Sequence, residues 1–157
     1  MITCFKRQLT RWSASAGFAV LLATLASAQE NGPESEIRAL GDCQSCEIEA
    51  QDLSDRRLMG IDLRDARLSG TLFNRSGLSV AVFDNADLSG VSFEDADLRG
   101  ASFADATLAD VNFTGADLRG AVFEGAILER TDLQSALLCN TQMPDDEMEN
   151  SDCNSDD

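Results

Sequence analysis

The chain has 157 residues, with 12 basic residues against 28 acidic ones, no histidine and a formal net charge of −16. A molecule this acidic repels nucleic acid and anionic lipid, which argues against direct nucleic-acid binding. Its serines and threonines are plentiful, but without histidine they lack their usual activating base.

Residues 1–28 read as a secretory signal. Lys6, Arg7 and Arg11 form a basic start, Phe18 to Ala26 an apolar stretch, and Ala26-Ser27-Ala28 a small-residue cleavage site. The apolar run is too short to span a bilayer comfortably, so no membrane span is expected once the signal is cleaved; an uncleaved anchor is the alternative. No cysteine stands immediately after the cleavage site and no twin-arginine pair precedes it. These features predict the bacterial general secretory route and a periplasmic or secreted protein. Cleavage leaves nine arginines against 28 acids, a net charge of −19, and no lysine. Residues 29–47 form a lead-in with a short predicted capping helix: Pro33 stands near its start, Glu34 and Glu36 in the first turn, Gly41 past its end. Ile37 and Leu40 are expected to cover the open end of the repetitive stretch that begins at Ile48.

Residues 48–143 keep a period of five. Large apolar residues stand at Ile48, Leu53, Leu58 and so on to Leu133, Leu138 and Met143, and a small residue such as Ala86, Ala96 or Ala116 usually precedes each by two. A helix would carry such a series around every face, and a strand would send alternate members to opposite sides. A short extended piece followed by a turn keeps them together, and its repetition winds a coil with the apolar residues inside. Leucine and phenylalanine alternate strictly from Leu68 to Phe123, so like stacks on like only if each coil has an even number of sides. Four sides give a coil of 20 residues, echoed where Ala96-Asp97-Leu98-Arg99-Gly100-Ala101 recurs as Ala116-Asp117-Leu118-Arg119-Gly120-Ala121. Phe73, Phe93 and Phe113 are then predicted to stack on one face and Phe83, Phe103 and Phe123 on the opposite face. Glycines fall two residues after a centre, where a corner favours positive φ. Arg56, Ile61 and Thr71 replace the small residue, which predicts less regular first coils.

The units Ala86-Asp87-Leu88-Ser89-Gly90 and Ala96-Asp97-Leu98-Arg99-Gly100 resemble the pentapeptide-repeat family. The resemblance implies an all-β fold, a right-handed quadrilateral parallel β-helix of about five coils. The Cys43-Gln44-Ser45-Cys46 entry also resembles that of some members. Certain members act as DNA mimics on DNA gyrase, which implies the same role here as an alternative if the chain stays in the cytoplasm.

Residues 144–157 are acidic, poor in apolar side chains and expected to be disordered. Four cysteines remain after the signal: Cys43, Cys46, Cys139 and Cys153. Five coils at ~4.8 Å separate the two ends by roughly 24 Å, beyond the ~7 Å that a disulfide tolerates between Cα atoms. The expected pairs are therefore Cys43–Cys46 and Cys139–Cys153, one pinning each end. Thiol–disulfide exchange through Cys43 and Cys46 is a second alternative, although no thioredoxin-like pattern surrounds them.

Asp84, Asp87, Glu94, Asp95, Asp97, Asp105 and Asp110 are expected on the outside of the middle coils as an acidic interaction surface. Asp97 and Asp117 should stack, relieved diagonally through Arg119 or Arg99. No catalytic residue, cofactor site or metal site is predicted: a filled solenoid has no pocket to tune a carboxylate, and no spacing matches a calcium loop. Val122, Ile127 and Leu137 lie outward near the last coil, to be covered by the tail, by a second copy in a homodimer, or by another partner. The expected function is that of an exported, non-catalytic protein-binding or scaffold module, its partner of unknown identity.

Overall fold

The computed structural model describes residues 43–153. The expected signal over 1–28, and the lead-in stretch carrying Ile37 and Leu40, lie outside the described residues.

The five-residue unit coils because each one ends in a turn. In most units the N–H three residues past the central residue returns to that residue's carbonyl, as from Ala86 to Phe83 and from Ala101 to Leu98, each at 3.0 Å; after Leu108 the Val111 N–H donates to the Thr131 hydroxyl instead, at 3.1 Å. The third turn residue has positive φ, the requirement of a type II turn. It does so at every fifth position from Ser45 to Arg130, with φ between 48° and 72°. Glycine holds several of these corners. Aspartate and asparagine, which tolerate left-handed backbone, hold Asp55, Asp65, Asn85, Asp95, Asp105 and Asp110.

Four turns return the chain to its starting side after 20 residues. Parallel bridges Glu47↔Arg67, Asp52↔Leu72, Arg57↔Gly77 and Asp62↔Val82 open four ladders, and the same spacing continues to Val122↔Gln142. In the regular coils a central N–H donates to the carbonyl nineteen residues later, as from Phe73 to Ser92 at 2.8 Å. Each bridging N–H donates back to the previous coil, as from Leu72 to Gln51 at 2.9 Å. Most sides are too short to count as strands. Two that qualify, β1 (Thr107–Ala109) and β2 (Ile127–Glu129), pair in parallel and in the same register. Among the described residues there is no helix.

The central residues fill the interior. Phe73, Phe93 and Phe113 stack at 5.4 and 5.3 Å, and Phe83, Phe103 and Phe123 at 5.0 and 4.8 Å. These steps match the separation of neighbouring strands. Between the two columns the rings meet edge to face, for example Phe93 with Phe103 at 6.0 Å. All six rings are buried.

Both ends differ from the sequence expectation. Cys43 occupies a central position and Cys46 a small-residue position, and the Ser45 N–H already donates to Arg64 at 2.8 Å. The coil therefore begins at least five residues before Ile48, and residues 43–47 belong to it rather than to a separate lead-in. The early coils are also regular. Ile61 fits the interior, and the Thr71 hydroxyl donates to the Ile48 carbonyl at 3.2 Å, so a β-branched residue replaces alanine without breaking register. The irregular stretch lies at the far end. There the Gly115 N–H donates to Ser135, one residue beyond the usual offset, and Ser135 lacks positive φ.

Residues 144–153 are folded back, where disorder was expected. A short antiparallel pair forms between β3 (Thr141–Gln142) and β4 (Met148–Glu149). The reason is the open edge of the last coil. The Leu138 N–H has no further coil to meet and donates to the Asp152 carboxylate at 2.9 Å, while the Asp152 N–H donates to the Leu138 carbonyl at 2.9 Å. The Asn140 N–H donates to the Asn150 side-chain oxygen at 3.0 Å, and the Met143 N–H to the Glu147 carbonyl at 2.8 Å. Buried or edge N–H groups demand acceptors, and the polar tail supplies them.

Candidate interaction surface

With the interior filled by side chains, recognition falls to the outside, which the 20-residue period lays out in columns. Each coil has four corners, and the seven acids singled out from the sequence are spread over several of them. Asp84 and Asp105 lie at the corner after Phe83 and Phe103, Glu94 and Asp95 at the corner after Phe93, and Asp110 at the corner after Leu108. Asp87 and Asp97 stand mid-side. The structure does not gather them into one patch.

Four of the seven are also engaged within the molecule. Asp84 accepts from the Ser102 hydroxyl and from the Ala104 N–H one coil on. Asp87 accepts from the Ser89 N–H at 3.2 Å and from its hydroxyl at 2.5 Å. Asp110 pairs with Arg130 at 2.6 Å, corner to corner across one coil step, as Asp55 does with Arg75 at 2.8 Å. Arg130 and Arg75 hold the Asp110 and Asp55 carboxyls below their ordinary range through these hydrogen bonds.

Asp97 and Asp117 are bridge partners, as the repeat requires, but their relief is mainly within each coil rather than diagonal. Arg99 closes on Asp97 with two hydrogen bonds of 2.8 and 2.7 Å, and Arg119 on Asp117 with 2.9 and 2.6 Å. Only Arg99 reaches diagonally, to Asp117 at 3.8 Å. Two residues apart, aspartate and arginine flank one central leucine on the outer surface, so the fork closes without crossing a coil. The Arg99 hydrogen bonds hold the Asp97 carboxyl down to about 2. Burial opposes ionisation at Asp117, yet the bonds from Arg119 and the charge of Arg99 still leave its carboxyl below the ordinary range.

Among the described residues of the repeats, one corner carries no acid. After Leu58, Leu78, Leu98, Leu118 and Leu138 it reads Met59-Gly60, Ser79-Val80, Arg99-Gly100, Arg119-Gly120 and Cys139-Asn140. Met59 is 74% exposed and Val80 56% exposed. Val80 is β-branched yet has φ +53°, a conformation such residues rarely adopt. Leu137, on the adjoining side, is also exposed. The sequence reading missed this corner because it followed acids, and the signal lay in their absence at one column modulo twenty. Of the apolar residues that reading did select, Ile127 remains 55% exposed and Leu137 42%, so the folded tail does not cover them.

The disulfides are Cys43–Cys46, with Cα atoms 5.3 Å apart, and Cys139–Cys153, at 4.7 Å. An open groove of about 370 Å³ lies where the last coil departs from register, lined by Asp110, Asn112, Thr114, Arg130, Asp132 and Ser135. Its one cation, Arg130, is already paired with Asp110. Among the described residues no three potential metal ligands converge, and no helix is long and apolar enough to cross a membrane.

Comparison with known proteins agrees with this architecture. The family model described as a pentapeptide repeat region matches residues 66–143. A pentapeptide repeat protein from the thylakoid lumen of Arabidopsis thaliana is 28% identical, with 67% of this chain and 68% of that one covered and a TM-score of 0.55. A pentapeptide repeat protein from Nostoc PCC 7120 is 26% identical, with 66% and 88% covered and a TM-score of 0.38. No curated protein matches the chain. The five-residue period, the twenty-residue ladders, the family-model match and the Arabidopsis structure place the chain in the pentapeptide-repeat family, with the family's right-handed β-helix as its fold.

Proposed function

We propose that this protein is an exported, non-catalytic scaffold that binds a protein partner along its acid-free corner. The observation that carries the reading is the segregation of that corner. In a strongly acidic molecule, Met59 and Val80 stand exposed on the one corner free of carboxylates, beside arginines whose charge Asp97 and Asp117 balance. An approaching protein desolvates apolar surface there without meeting uncompensated negative charge. The signal-like residues 1–28 and the thylakoid-lumen location of the Arabidopsis relative support export. The filled core and the lack of histidine support a non-catalytic role.

Capture of partners from an envelope extract tests the proposal with three proteins. The wild type and a Glu94→Gln/Asp95→Asn/Asp105→Asn variant should retain the same captured protein, and Met59→Asp/Val80→Asp should lose it. Loss in the acid-neutralised variant instead would move recognition to the acidic corners. A reporter fused after Ala28 tests export, and cytoplasmic retention would remove that part.

A further inference from the structure

The two disulfides sit in opposite surroundings. Cys43 and Cys46 are each 1% exposed, inside the first coil as core residues. Cys153 is exposed and Cys139 half-buried on the outer corner of the last coil. Exchange begins with an incoming thiolate lying in line with a sulfur, so access decides which bond reacts. The sequence offered exchange through Cys43 and Cys46 as a second alternative; access favours the other end.

The segment that the outer bond holds is poised to leave. Residues 144–153 carry Asp145, Asp146, Glu147, Glu149 and Asp152 and no basic residue, so they repel one another and the acidic coil beneath. Their one long apolar side chain, Met148, is 53% exposed. Besides the bond, hydrogen bonds fasten them: those at Leu138, Asn140 and Met143, one from the Gly125 N–H to the Pro144 carbonyl at 3.3 Å, and one from the Gln142 side-chain amide to the Asp146 carboxylate at 3.1 Å. Water replaces such bonds at small net cost once the segment is free.

We propose that Cys139–Cys153 is a thiol–disulfide exchange site for a dithiol reductant, and that its opening releases residues 144–153 from the edge of the last coil while Cys43–Cys46 stays closed. One thiolate of the dithiol attacks the exposed Cys153 sulfur, and a mixed disulfide forms as the Cys139–Cys153 bond breaks. The electron pair leaves on the Cys139 sulfur, which lies 3.4 Å from the Asn140 side-chain N–H donor and takes a proton from water. The second thiol of the reductant then attacks its own sulfur in the mixed disulfide. The reductant departs oxidised and Cys153 leaves as a thiol, two electrons and two protons having passed to the protein. The edge left open exposes the N–H groups of Leu138, Asn140 and Met143, the kind of row to which another extended segment adds.

The full chain, purified without reductant, is treated with graded dithiothreitol, alkylated with N-ethylmaleimide at intervals, and digested briefly with a protease that cuts after glutamate. Cys139 and Cys153 should be labelled at least about tenfold faster than Cys43 and Cys46, as access controls the rate. Cleavage after Glu147 and Glu149 should rise in step with that labelling. A Cys139→Ser/Cys153→Ser variant should be cut there without reductant. Should this variant fail to fold, the wild-type time course decides alone. Equal labelling rates, earlier labelling of Cys43 and Cys46, labelling of all four before reductant is added, or a tail still uncut after its bond has opened would each overturn the proposal.

Discussion

Truncating one phenylalanine in the middle of the column should cost more than truncating one at its start, and the ring geometry says by how much. Phe103 lies between Phe83 at 5.0 Å and Phe123 at 4.8 Å, and meets Phe93 and Phe113 edge-on at 6.0 and 5.9 Å. Phe73 meets only Phe93 at 5.4 Å and Phe83 at 6.4 Å. Both are fully buried, so the transfer contribution, roughly 1.5–3 kcal/mol for such a side chain, is the same for each. Phe→Ala substitutions in cores cost about 3–5 kcal/mol once the cavity is included. Each additional ring pair contributes about 0.5–1.5 kcal/mol beyond area. Phe103→Ala is therefore expected near the top of that range and Phe73→Ala near the bottom, a difference of about 1–3 kcal/mol. Denaturation in guanidinium with the disulfides intact, followed by far-ultraviolet circular dichroism, gives both values. A Phe73→Ala loss equal to or above that of Phe103→Ala would refute the argument that stacked columns hold the coils together.

The Asp97–Arg99 fork sets a pH dependence. Arg99 lowers the Asp97 carboxyl from 3.8 to about 2, so the stability this gives is present above about pH 4 and lost as pH falls towards 2. Because the pair is partly exposed, Asp97→Asn should cost under about 1 kcal/mol at neutral pH, and the melting temperatures of variant and wild type should converge near pH 2. Val80→Gly should stabilise the fold by about 0.5–1 kcal/mol, since a left-handed corner costs a non-glycine residue about 1–2 kcal/mol while glycine adds entropy to the unfolded chain; a lower melting temperature would refute the strain. Asp152→Ala removes the acceptor of the Leu138 N–H, and amide exchange should quicken at Leu138 but not at Leu98, whose N–H meets Asp117 in the next coil.

The sequence revealed the fold because its period leaves one solution. Phe73 to Phe123 alternate with leucine so regularly that the number of sides and the ring columns can be read from the sequence alone. The corners were half legible: glycines such as Gly60 and Gly120 announced positive φ, but Asp95, Arg75 and Val80 adopt it too, and their identity does not signal it. Cys43 and Cys46 hid the first unit because cysteine reads as chemistry before it reads as a core residue. The tail was misjudged for a related reason. Composition correctly reports that residues 144–153 have little to bury, yet Asp152 and Asn150 are there to meet backbone donors, a role that hydrophobicity does not register. The surface was least legible. An aspartate's number says that it points outward, but whether it is spent on an arginine, as Asp110 is, depends on what lies twenty residues away.

That spacing also governs how such a molecule can change in length. Losing residues 84–103 would set Phe83 in the place of Phe103, beneath Phe123, with every surface column still aligned with its own kind. Losing only five would turn the remaining coils by a quarter revolution, lay phenylalanine over leucine, and swing the acid-free corner onto a side lined with carboxylates. Variation by whole revolutions is thus structurally silent, while smaller steps rewrite the exterior beyond the point where they occur.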